Sequence, residues 1–165
     1  MAWRVAILTC SDSRYQGVAS DTSAQVIREL VEEELHGEII NYSIVPDDIQ
    51  TIRNALIELA DNVRADLIFT TGGIGLAERD VTPEATRQVI DQVVPGISEV
   101  IREACLIKSR SSMFGRGIAG LRKTVLIINL AGTPKVTFAG LNAIMDQLPY
   151  ALEKLKLRRE SEVYE

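Results

Sequence analysis

Hydrophobic positions along the chain follow two periods, one typical of strands and the other of helices. Four short runs rich in β-branched and aliphatic residues predict strands at 3–9, 38–45, 65–71 and 124–130. Between them, apolar residues recur every three or four positions, as on the buried face of a helix. Apolar strands separated by amphipathic helices predict a doubly wound α/β fold, with a mostly parallel sheet covered by helices on both faces.

The helical spacing places the predicted helices at about 24–35, 49–60, 85–93, 97–104, 136–148 and 150–159, the last two separated by Pro149. The basic, glycine- and serine-rich segment 108–120 follows neither period, and we expect a loop or an irregular helix end there. No repeat, low-complexity segment or linker marks a second domain, so we expect a single domain over residues 1–165.

Composition narrows the classes of function. The chain is 46% hydrophobic and 25% charged, as in ordinary globular proteins. No stretch approaches the roughly 20 apolar residues that cross a bilayer, and the first residues lead directly into a strand without the features of an export signal. We therefore expect a cytoplasmic protein without a membrane segment. The net charge of −5 argues against general binding of nucleic acid, which needs clustered positive charge.

Cysteine and histidine carry little chemistry in this sequence. Cys10 and Cys105 lie far apart, outside any CxxC or Cys/His pattern, so they are interpreted as packing residues and not as a disulfide or a zinc site. His36, the single histidine, stands at a predicted helix end beside Gly37 and is interpreted as a surface residue. Without a supporting motif for a catalytic triad, nucleophilic hydrolysis is disfavoured.

Polar residues follow every predicted strand. In open α/β sheets, ligands bind beyond the carboxyl ends of the strands, where loops converge and helix N-termini present free N–H groups. The residues at these ends are Ser11 and Asp12, then Asp47 and Asp48, then a glycine loop with Asp80, and finally Gly132 and Lys135. Such a rim predicts a site for an anionic, phosphorylated ligand, whose charge is balanced by N–H groups, a lysine and a cation held by carboxylates.

The segment TTGGIGLAERDVTPEA (70–85) carries the densest signal. Gly72, Gly73 and Gly75 are more glycines than a turn needs, which favours a backbone cradle for phosphate. The loop lacks the GKS or GKT of a P-loop. The triplet that begins at Thr82 predicts an N-cap, an N1 proline and a first-turn acid. Capping leaves Asp80 unexplained, so we favour a Mg²⁺ or phosphate ligand there over a solvated loop acid.

Several other polar residues can be interpreted either as structural or as ligand-binding. Asp47 either starts the next helix, in a capping box with Gln50, or belongs to the site. Asp12 either satisfies its own turn as an Asx motif or contacts the ligand. In the basic segment, Arg110 and Arg116 either face solvent or neutralise a ligand phosphate from a neighbouring element or subunit.

Four segments together resemble the MoaB/Mog family of molybdenum-cofactor biosynthesis: TCSDS, VPDD, TTGGIGLAERDVTPEAT and LAGTPK. The similarity extends over nearly the whole chain, in the same order and spacing. It implies a doubly wound domain that is usually a homotrimer. Adenylylating members of the family use ATP and Mg²⁺ to convert molybdopterin to adenylyl-molybdopterin and release pyrophosphate before metal insertion. Molybdopterin synthase and metal-insertion proteins are then expected partners.

By position, the resemblance implies that Asp47 and Asp80 are the two acids used in adenylylation and candidate Mg²⁺ ligands. This sequence has Ile74 and Ala131 where family members commonly have threonine and proline. The residue pattern and the resemblance together nominate these substrate- and phosphate-binding residues: Ser11, Asp12, Thr71, Gly72, Gly73, Gly75, Thr82, Ser109, Arg110, Arg116, Gly132, Pro134 and Lys135. A module that binds molybdopterin or a nucleotide without turnover is the alternative, but the paired carboxylates favour an enzyme.

Overall fold

The computed structural model describes residues 1–164. In that range the strands are β1 (Trp3–Cys10), β2 (Gly37–Val45), β3 (Leu67–Thr71), β4 (Gln92–Val93), β5 (Ala119–Arg122) and β6 (Val125–Leu130). The helices are α1 (Asp12–Tyr15), α2 (Thr22–Glu33), α3 (Ile49–Ile57), α4 (Thr82–Arg87), α5 (Pro95–Lys108), α6 (Pro134–Ile144) and α7 (Leu148–Val163). A π-helical turn continues α3 over Glu58–Asn62, and 3₁₀ turns lie at Arg110–Phe114 and Met145–Gln147.

The strands form one sheet in the order β2-β1-β3-β6-β5-β4. Pairs among β2, β1, β3 and β6 are parallel, whereas β5 is antiparallel to both β6 and β4. Every residue of β3 and β6 is buried, as expected of strands covered on both faces. The predicted doubly wound, mostly parallel sheet is therefore confirmed.

Consecutive residues of each central strand enter opposite core layers, because side chains alternate across a strand. On one face, α2, α6 and α7 pack on a layer that includes Val5, Ile7 and Phe69. On the other, α3 and α4 pack on a layer that includes Leu8 and Ile127. Within residues 1–164 we find no helix with both the length and the apolar character needed to cross a bilayer.

The antiparallel edge of the sheet differs from the sequence prediction. The helix predicted over 85–93 ends at Arg87, and Val93 lies in β4, where it pairs with Gly120 of β5. Segment 108–120, predicted to be irregular, contains a 3₁₀ turn and the start of β5. A Cβ at position 120 would lie 2.5 Å from the carbonyl oxygen of Gln92. The edge therefore depends on a close pairing between distant segments, which local periodicity does not report.

Pro149 also has a different role from the one predicted. It lies in the first turn of α7, where the missing proline N–H breaks no helical hydrogen bond. A 3₁₀ turn, and not the proline, separates α6 from α7.

The chain crosses from β1 to β2 on one side and later returns to β3 on the other side of β1. The loop after β1 leads to α2 on one face of the sheet and the loop after β3 leads to α4 on the other, an arrangement that creates a crevice beyond the strand ends. Such a topological switch point is where open α/β sheets bind ligands.

Asn129 joins four parts of the chain at the buried end of β6. Its Nδ2 donates to Thr70 Oγ1 at 2.9 Å and to Thr86 Oγ1 at 3.0 Å, and its Oδ1 accepts from the Ile118 N–H at 3.1 Å. The residue is 2% exposed, so its side-chain amide depends on these partners for its hydrogen bonds.

Replacing Asn129 with leucine should lower the free energy of unfolding by about 2–4 kcal/mol, because the variant leaves the Ile118 N–H and the Thr70 hydroxyl without the partner that Asn129 supplies. Urea denaturation measures the change. The exposed Asn142 of α6 offers a matched control, since Asn142→Leu should change stability by no more than about 0.5 kcal/mol. Equal stability of the two variants would contradict this role for Asn129.

Candidate functional site

The glycine loop leaves β3 through two residues in the left-handed region, Gly72 with φ of 95° and Gly73 with φ of 67°. A Cβ at Gly72 would lie 2.4 Å from the Cys10 carbonyl oxygen, and one at Gly73 would lie 2.3 Å from Thr82 Oγ1. Side chains at either position would collide with β1 or α4. The loop backbone therefore lies directly against the end of β1 and the start of α4, as the sequence predicts for a close approach.

Asp12 and Asp47 bind each other's backbone. The Asp47 N–H donates to Asp12 Oδ1 at 3.0 Å, and the Asp12 N–H donates to Asp47 Oδ2 at 2.9 Å. This reciprocal pair joins the loop after β1 to the loop after β2. Both carboxylates are thereby brought to the crevice at the switch point.

Neighbouring residues, and not these two acids, cap the adjacent helices. Asp48 caps α3 and accepts from the Thr51 N–H at 2.9 Å. Ser11 caps α1 and accepts from the Arg14 N–H at 3.3 Å. The capping-box interpretation of Asp47 is therefore wrong, and the carboxylate of Asp12 serves contacts between loops instead of an Asx turn.

Two buried oxygens converge on Gly73. Among residues 1–164, Asp47 Oδ1 and Thr82 Oγ1 are buried without a hydrogen-bond partner. A Cβ at Gly73 would lie 3.1 Å from Asp47 Oδ1, so both oxygens face the same part of the loop. Burial raises the pKa of Asp47, and the charges of Asp12 and Asp80 raise it further. Buried oxygens of this kind are suited to a cation or to a hydrogen-bond donor from a ligand.

Thr82 differs from its prediction as an N-cap. Val81 occupies the cap position of α4, whose N-terminus has no side-chain cap within the described residues. The Thr82 N–H donates to the Gly73 carbonyl at 3.1 Å. The hydroxyl is buried against Gly73, because the backbone contact to the glycine loop fixes the residue in the first turn of α4.

Asp80 lies where the glycine loop turns toward α4. Its Oδ2 accepts from the Ala77 N–H at 3.0 Å, and a Cβ at Gly75 would lie 2.8 Å from the same oxygen. Its charge is close enough to Asp47 to raise the pKa of that residue. The two predicted acids are therefore brought to one site from separate strand ends.

Arg79, next to Asp80, reaches across the crevice to Asp12. Its Nε donates to Asp12 Oδ2 at 2.5 Å and its Nη2 to Asp12 Oδ1 at 3.0 Å, and the hydrogen bond from Arg79 lowers the pKa of Asp12. Sequence reasoning did not nominate Arg79. The available signal was its position in the charged triplet that ends at Asp80.

Arg116 holds the glycine loop from the other side. Its Nε donates to the Gly75 carbonyl at 2.8 Å, its Nη2 donates to the Asp80 carbonyl at 2.6 Å, and its Nη1 contacts Glu84. These contacts make Arg116 a positioning residue for the loop. Its predicted contact with phosphate stays a prediction, as does that of Arg110, which is exposed on the neighbouring 3₁₀ turn.

The loop after β6 is fixed through its carbonyl groups. The Ala131 carbonyl accepts from Thr71 Oγ1 at 2.6 Å and from Thr137 Oγ1 at 2.7 Å. Thr71, predicted as a ligand contact, therefore joins the end of β3 to this loop. Ala131 keeps these contacts without the proline that the family commonly has at this position.

Gly132 connects the same loop to α1 and α2. Its carbonyl accepts from Arg14 Nη2 at 2.7 Å and from Ser23 Oγ at 3.0 Å, two contacts that sequence reasoning missed. A Cβ at Gly132 would lie 3.1 Å from the Cα of Gly72. Pro134 opens α6, and Lys135 is exposed in its first turn.

A cavity of about 470 Å³ lies beside the glycine loop, between α5, the 3₁₀ turn after it and the loop after β6. Its volume is in the usual range for small-molecule sites. Its lining is largely apolar and includes Ile74, Leu76, Ile101, Phe114 and Val136; its polar groups include Arg102, Asn129, Ser98, Ser109, Ser111 and Ser112.

The predicted site residues therefore divide between two neighbouring regions. Gly75, Ser109 and Gly132 line the cavity, whereas Asp12, Asp47 and Asp80 form an acid cluster beside the glycine loop, outside the cavity lining. Arg102, which the sequence did not nominate, faces the cavity and is held by the carbonyls of Gly115 at 2.8 Å and Gly117 at 3.1 Å.

The two cysteines and the histidine have the structural places expected of them. Cys10 and Cys105 are free and buried. Burial raises the pKa of Cys10 to about 12, so its thiol is not a nucleophile at neutral pH. His36 is exposed in the connection between α2 and β2, directly before Gly37.

The chain is similar to known proteins over most of its length. Residues 6–150 match the family model described as "Probable molybdopterin binding domain". The chain is 37% identical over 150 residues to the molybdopterin adenylyltransferase of Helicobacter pylori J99, covering 90% of this chain and 85% of that protein. It is 33% identical over 144 residues to the molybdopterin adenylyltransferase of Escherichia coli K12, covering 87% of this chain and 74% of that protein.

The fold agrees with a solved structure as well. The crystal structure of the molybdopterin biosynthesis enzyme MoaB from Thermus thermophilus superimposes with a TM-score of 0.87 at 42% identity, over 93% of this chain and 96% of that one. The chain therefore belongs to the molybdenum-cofactor biosynthesis family of molybdopterin-binding domains, and the resemblance to MoaB and Mog seen in its sequence is confirmed.

Gly72→Ala should lower the free energy of unfolding by about 2–4 kcal/mol, because alanine is strained at a left-handed φ and its Cβ would collide with the end of β1. Thermal and urea unfolding measure the change. Gly96→Ala in the first turn of α5 is the matched control, since among residues 1–164 no atom lies within 4 Å of the added Cβ. A Gly72 variant as stable as the Gly96 variant would contradict the close approach.

Proposed function

We propose that this protein catalyses the Mg²⁺-dependent adenylylation of molybdopterin by ATP, giving adenylyl-molybdopterin and pyrophosphate. The observation that carries the proposal is the convergence of Asp47 Oδ1 and Thr82 Oγ1, buried without a partner among residues 1–164, on the glycine loop. The charge of Asp80 is close enough to influence Asp47, and a ligand-sized cavity is lined by Gly75 of the same loop. The adenylyltransferases of H. pylori and E. coli support the choice of reaction.

The residues present fit a magnesium ion that is shared with substrate. Within the described residues, no three His, Cys, Asp or Glu side chains converge as a complete metal site. Protein-bound Mg²⁺ commonly uses one or two carboxylates and takes its remaining ligands from phosphates and water. Asp47 and Asp80 would hold the ion, which supplies neutralisation of phosphate charge when bound.

Apart from the ion, catalysis would depend on protein groups that position the two substrates. The backbone of Gly72, Gly73 and Gly75 offers N–H groups and close approach to a phosphate chain. Arg116 keeps that loop in place through the Gly75 and Asp80 carbonyls. The apolar cavity would hold the pterin, so that the terminal phosphate of molybdopterin faces the α-phosphate of ATP as nucleophile.

A module that binds molybdopterin or a nucleotide without turnover remains the second candidate. It would use the same cavity but would have no need of two carboxylates beside the glycine loop. Incubation with molybdopterin, ATP and Mg²⁺, followed by an assay for pyrophosphate, separates the two functions. Binding without pyrophosphate release would support the module.

Asp47→Asn or Asp80→Asn should lower pyrophosphate release by roughly 100-fold or more, because the amide keeps the shape of the side chain but removes the charge that holds the cation. Asp48→Asn is the matched control. Asp48 caps α3, and asparagine caps a helix about as well as aspartate, so activity should stay near that of the wild type. Near-normal turnover in Asp80→Asn would contradict the proposal.

The same variants have a second readout in stability. The pKa of Asp47 is raised in the folded protein, so ionisation of this group opposes folding once the pH exceeds its ordinary value. Asp47→Asn should therefore melt at the same temperature as the wild type or higher at neutral pH, and the difference should disappear in acid. A clear loss of stability at neutral pH would instead give Asp47 a structural role.

We further propose that the protein is a homotrimer. Large apolar side chains are exposed on α5 and α6, with Val100 at 44%, Ile107 at 84% and Phe138 at 47%, and apolar surface of this kind is typical of subunit interfaces. Light scattering should give three times the chain mass of 18.2 kDa. A monomer at micromolar concentration would contradict this assembly.

The substrates also suggest where and with whom the protein acts. Because ATP is the proposed co-substrate, we place the reaction in the cytoplasm. Molybdopterin synthase would supply the substrate, and a metal-insertion protein would receive the product.

A further inference from the structure

We propose that Arg79 is a phosphate-binding residue of this site, which exchanges its partner Asp12 for the polyphosphate of ATP when the nucleotide binds. This inference rests on the proposed function and extends it to a residue that neither the sequence motifs nor the acid pair nominates. It predicts that binding of the polyphosphate raises the affinity of the site for the metal ion, and the reverse, because Arg79 leaves Asp12.

Arg79 is placed to reach both partners. It precedes Asp80 in the glycine loop, and its guanidinium makes two hydrogen bonds to Asp12, at 2.5 and 3.0 Å. Asp12 in turn accepts from the Asp47 N–H at 3.0 Å. The positive charge of Arg79 therefore lies beside the acids that would hold the cation.

The ion pair can be exchanged at little cost. The Arg79 side chain is 63% exposed, and exposed ion pairs contribute little to stability. Asp12 keeps its hydrogen bond from the Asp47 N–H when Arg79 leaves. A guanidinium binds phosphate oxygens with the same two-point geometry that it uses with a carboxylate.

Two other arginines at the site are held by the protein itself. Arg116 binds the Gly75 and Asp80 carbonyls, and Arg14 binds the Gly132 carbonyl at 2.7 Å and the Ser20 carbonyl at 3.1 Å. Moving either guanidinium would remove hydrogen bonds from loop carbonyls. Within residues 1–164, the guanidinium of Arg79 binds only the half-buried side chain of Asp12, so Arg79 can change partners without removing a hydrogen bond from a loop carbonyl.

The exchange couples the two ligands electrostatically. While Arg79 binds Asp12, its charge weakens the attraction of the acid cluster for a divalent cation. Transfer of the guanidinium to a phosphate removes that effect and leaves Asp12, Asp47 and Asp80 more negative. The buried oxygens of Thr82 and Asp47, unpartnered among residues 1–164, both lie against Gly73 in the same glycine loop.

The test compares Arg79→Gln with Asp12→Asn by two binding measurements on the whole protein, pyrophosphate by calorimetry and Mn²⁺ by electron paramagnetic resonance. Arg79→Gln should weaken pyrophosphate binding about tenfold, because a charge-assisted contact is lost. The same variant should bind Mn²⁺ alone about threefold more tightly, because a competing positive charge is gone. Arg79→Lys, which keeps the charge without the two-point geometry, should lose less pyrophosphate affinity.

Asp12→Asn should act in the opposite direction on pyrophosphate. It releases Arg79 and removes a negative charge, so pyrophosphate should bind about threefold more tightly. Arg158→Gln is the matched control, since Arg158 forms an exposed ion pair with Glu162 on α7 at 3.0 Å, with 46% of its side chain exposed. This control should leave both affinities unchanged.

Two results with the variants would overturn the proposal. If Arg79→Gln and Asp12→Asn shift pyrophosphate binding in the same direction, the ion pair merely anchors the loop. If Arg79→Gln matches Arg158→Gln, Arg79 does not contact the ligand. Failure of the proposed function gives a different pattern. If the variants shift pyrophosphate binding as expected but the wild type releases no pyrophosphate from ATP and molybdopterin, the role of Arg79 in binding stands and the proposed reaction is wrong. A wild type that binds neither pyrophosphate nor Mn²⁺ overturns both.

Discussion

The geometry of the site depends on the close approach of three loop backbones at the carboxyl edge of the sheet. Gly72 lies so close to the Cys10 carbonyl that a Cβ would come within 2.4 Å of it, and Gly132 lies against the Cα of Gly72. This contact brings the loops after β1, β3 and β6 together. Gly73 is thereby placed between Asp47 and Thr82, which come from other parts of the chain. Packing of the loops therefore requires glycine at this edge, whether or not a ligand is bound.

Sequence reasoning predicted the central sheet well, because buried parallel strands are continuous apolar runs that the helical period interrupts. It missed the edge formed by β4 and β5. The spacing of Ala85, Val89 and Val93 is helical, yet Val93 pairs with Gly120 of β5, which follows α5 in the chain. A two-residue strand has no periodicity of its own, and its conformation comes from a partner segment that local patterns do not identify.

In the candidate site too, features that depend on nearby sequence were predictable and contacts between distant residues were not. Glycines and acids after strand ends were predictable, since the topology brings those ends to one edge. The partners of the arginines were not. Arg79 pairs with Asp12, 67 positions away, and Arg14 reaches the Gly132 carbonyl across 118 positions. The cap predicted at Thr82 was wrong for a related reason, because contact with Gly73 turns a typical capping hydroxyl into a buried one.

Within the acid cluster, the pKa values of two neighbouring carboxyl groups are changed in opposite directions. Arg79 lowers the pKa of Asp12, whereas burial and the charges of Asp12 and Asp80 raise the pKa of Asp47. Ionised Asp47 therefore opposes folding at neutral pH, and one of its oxygens lacks a partner among residues 1–164. A divalent cation would relieve both conditions at once, because it supplies the missing partner and favours the charged form. The carboxylate oxygens of Asp47, which lower the stability of the folded protein at neutral pH, are thus well suited to bind the ion. Such a loss of stability is common at functional sites.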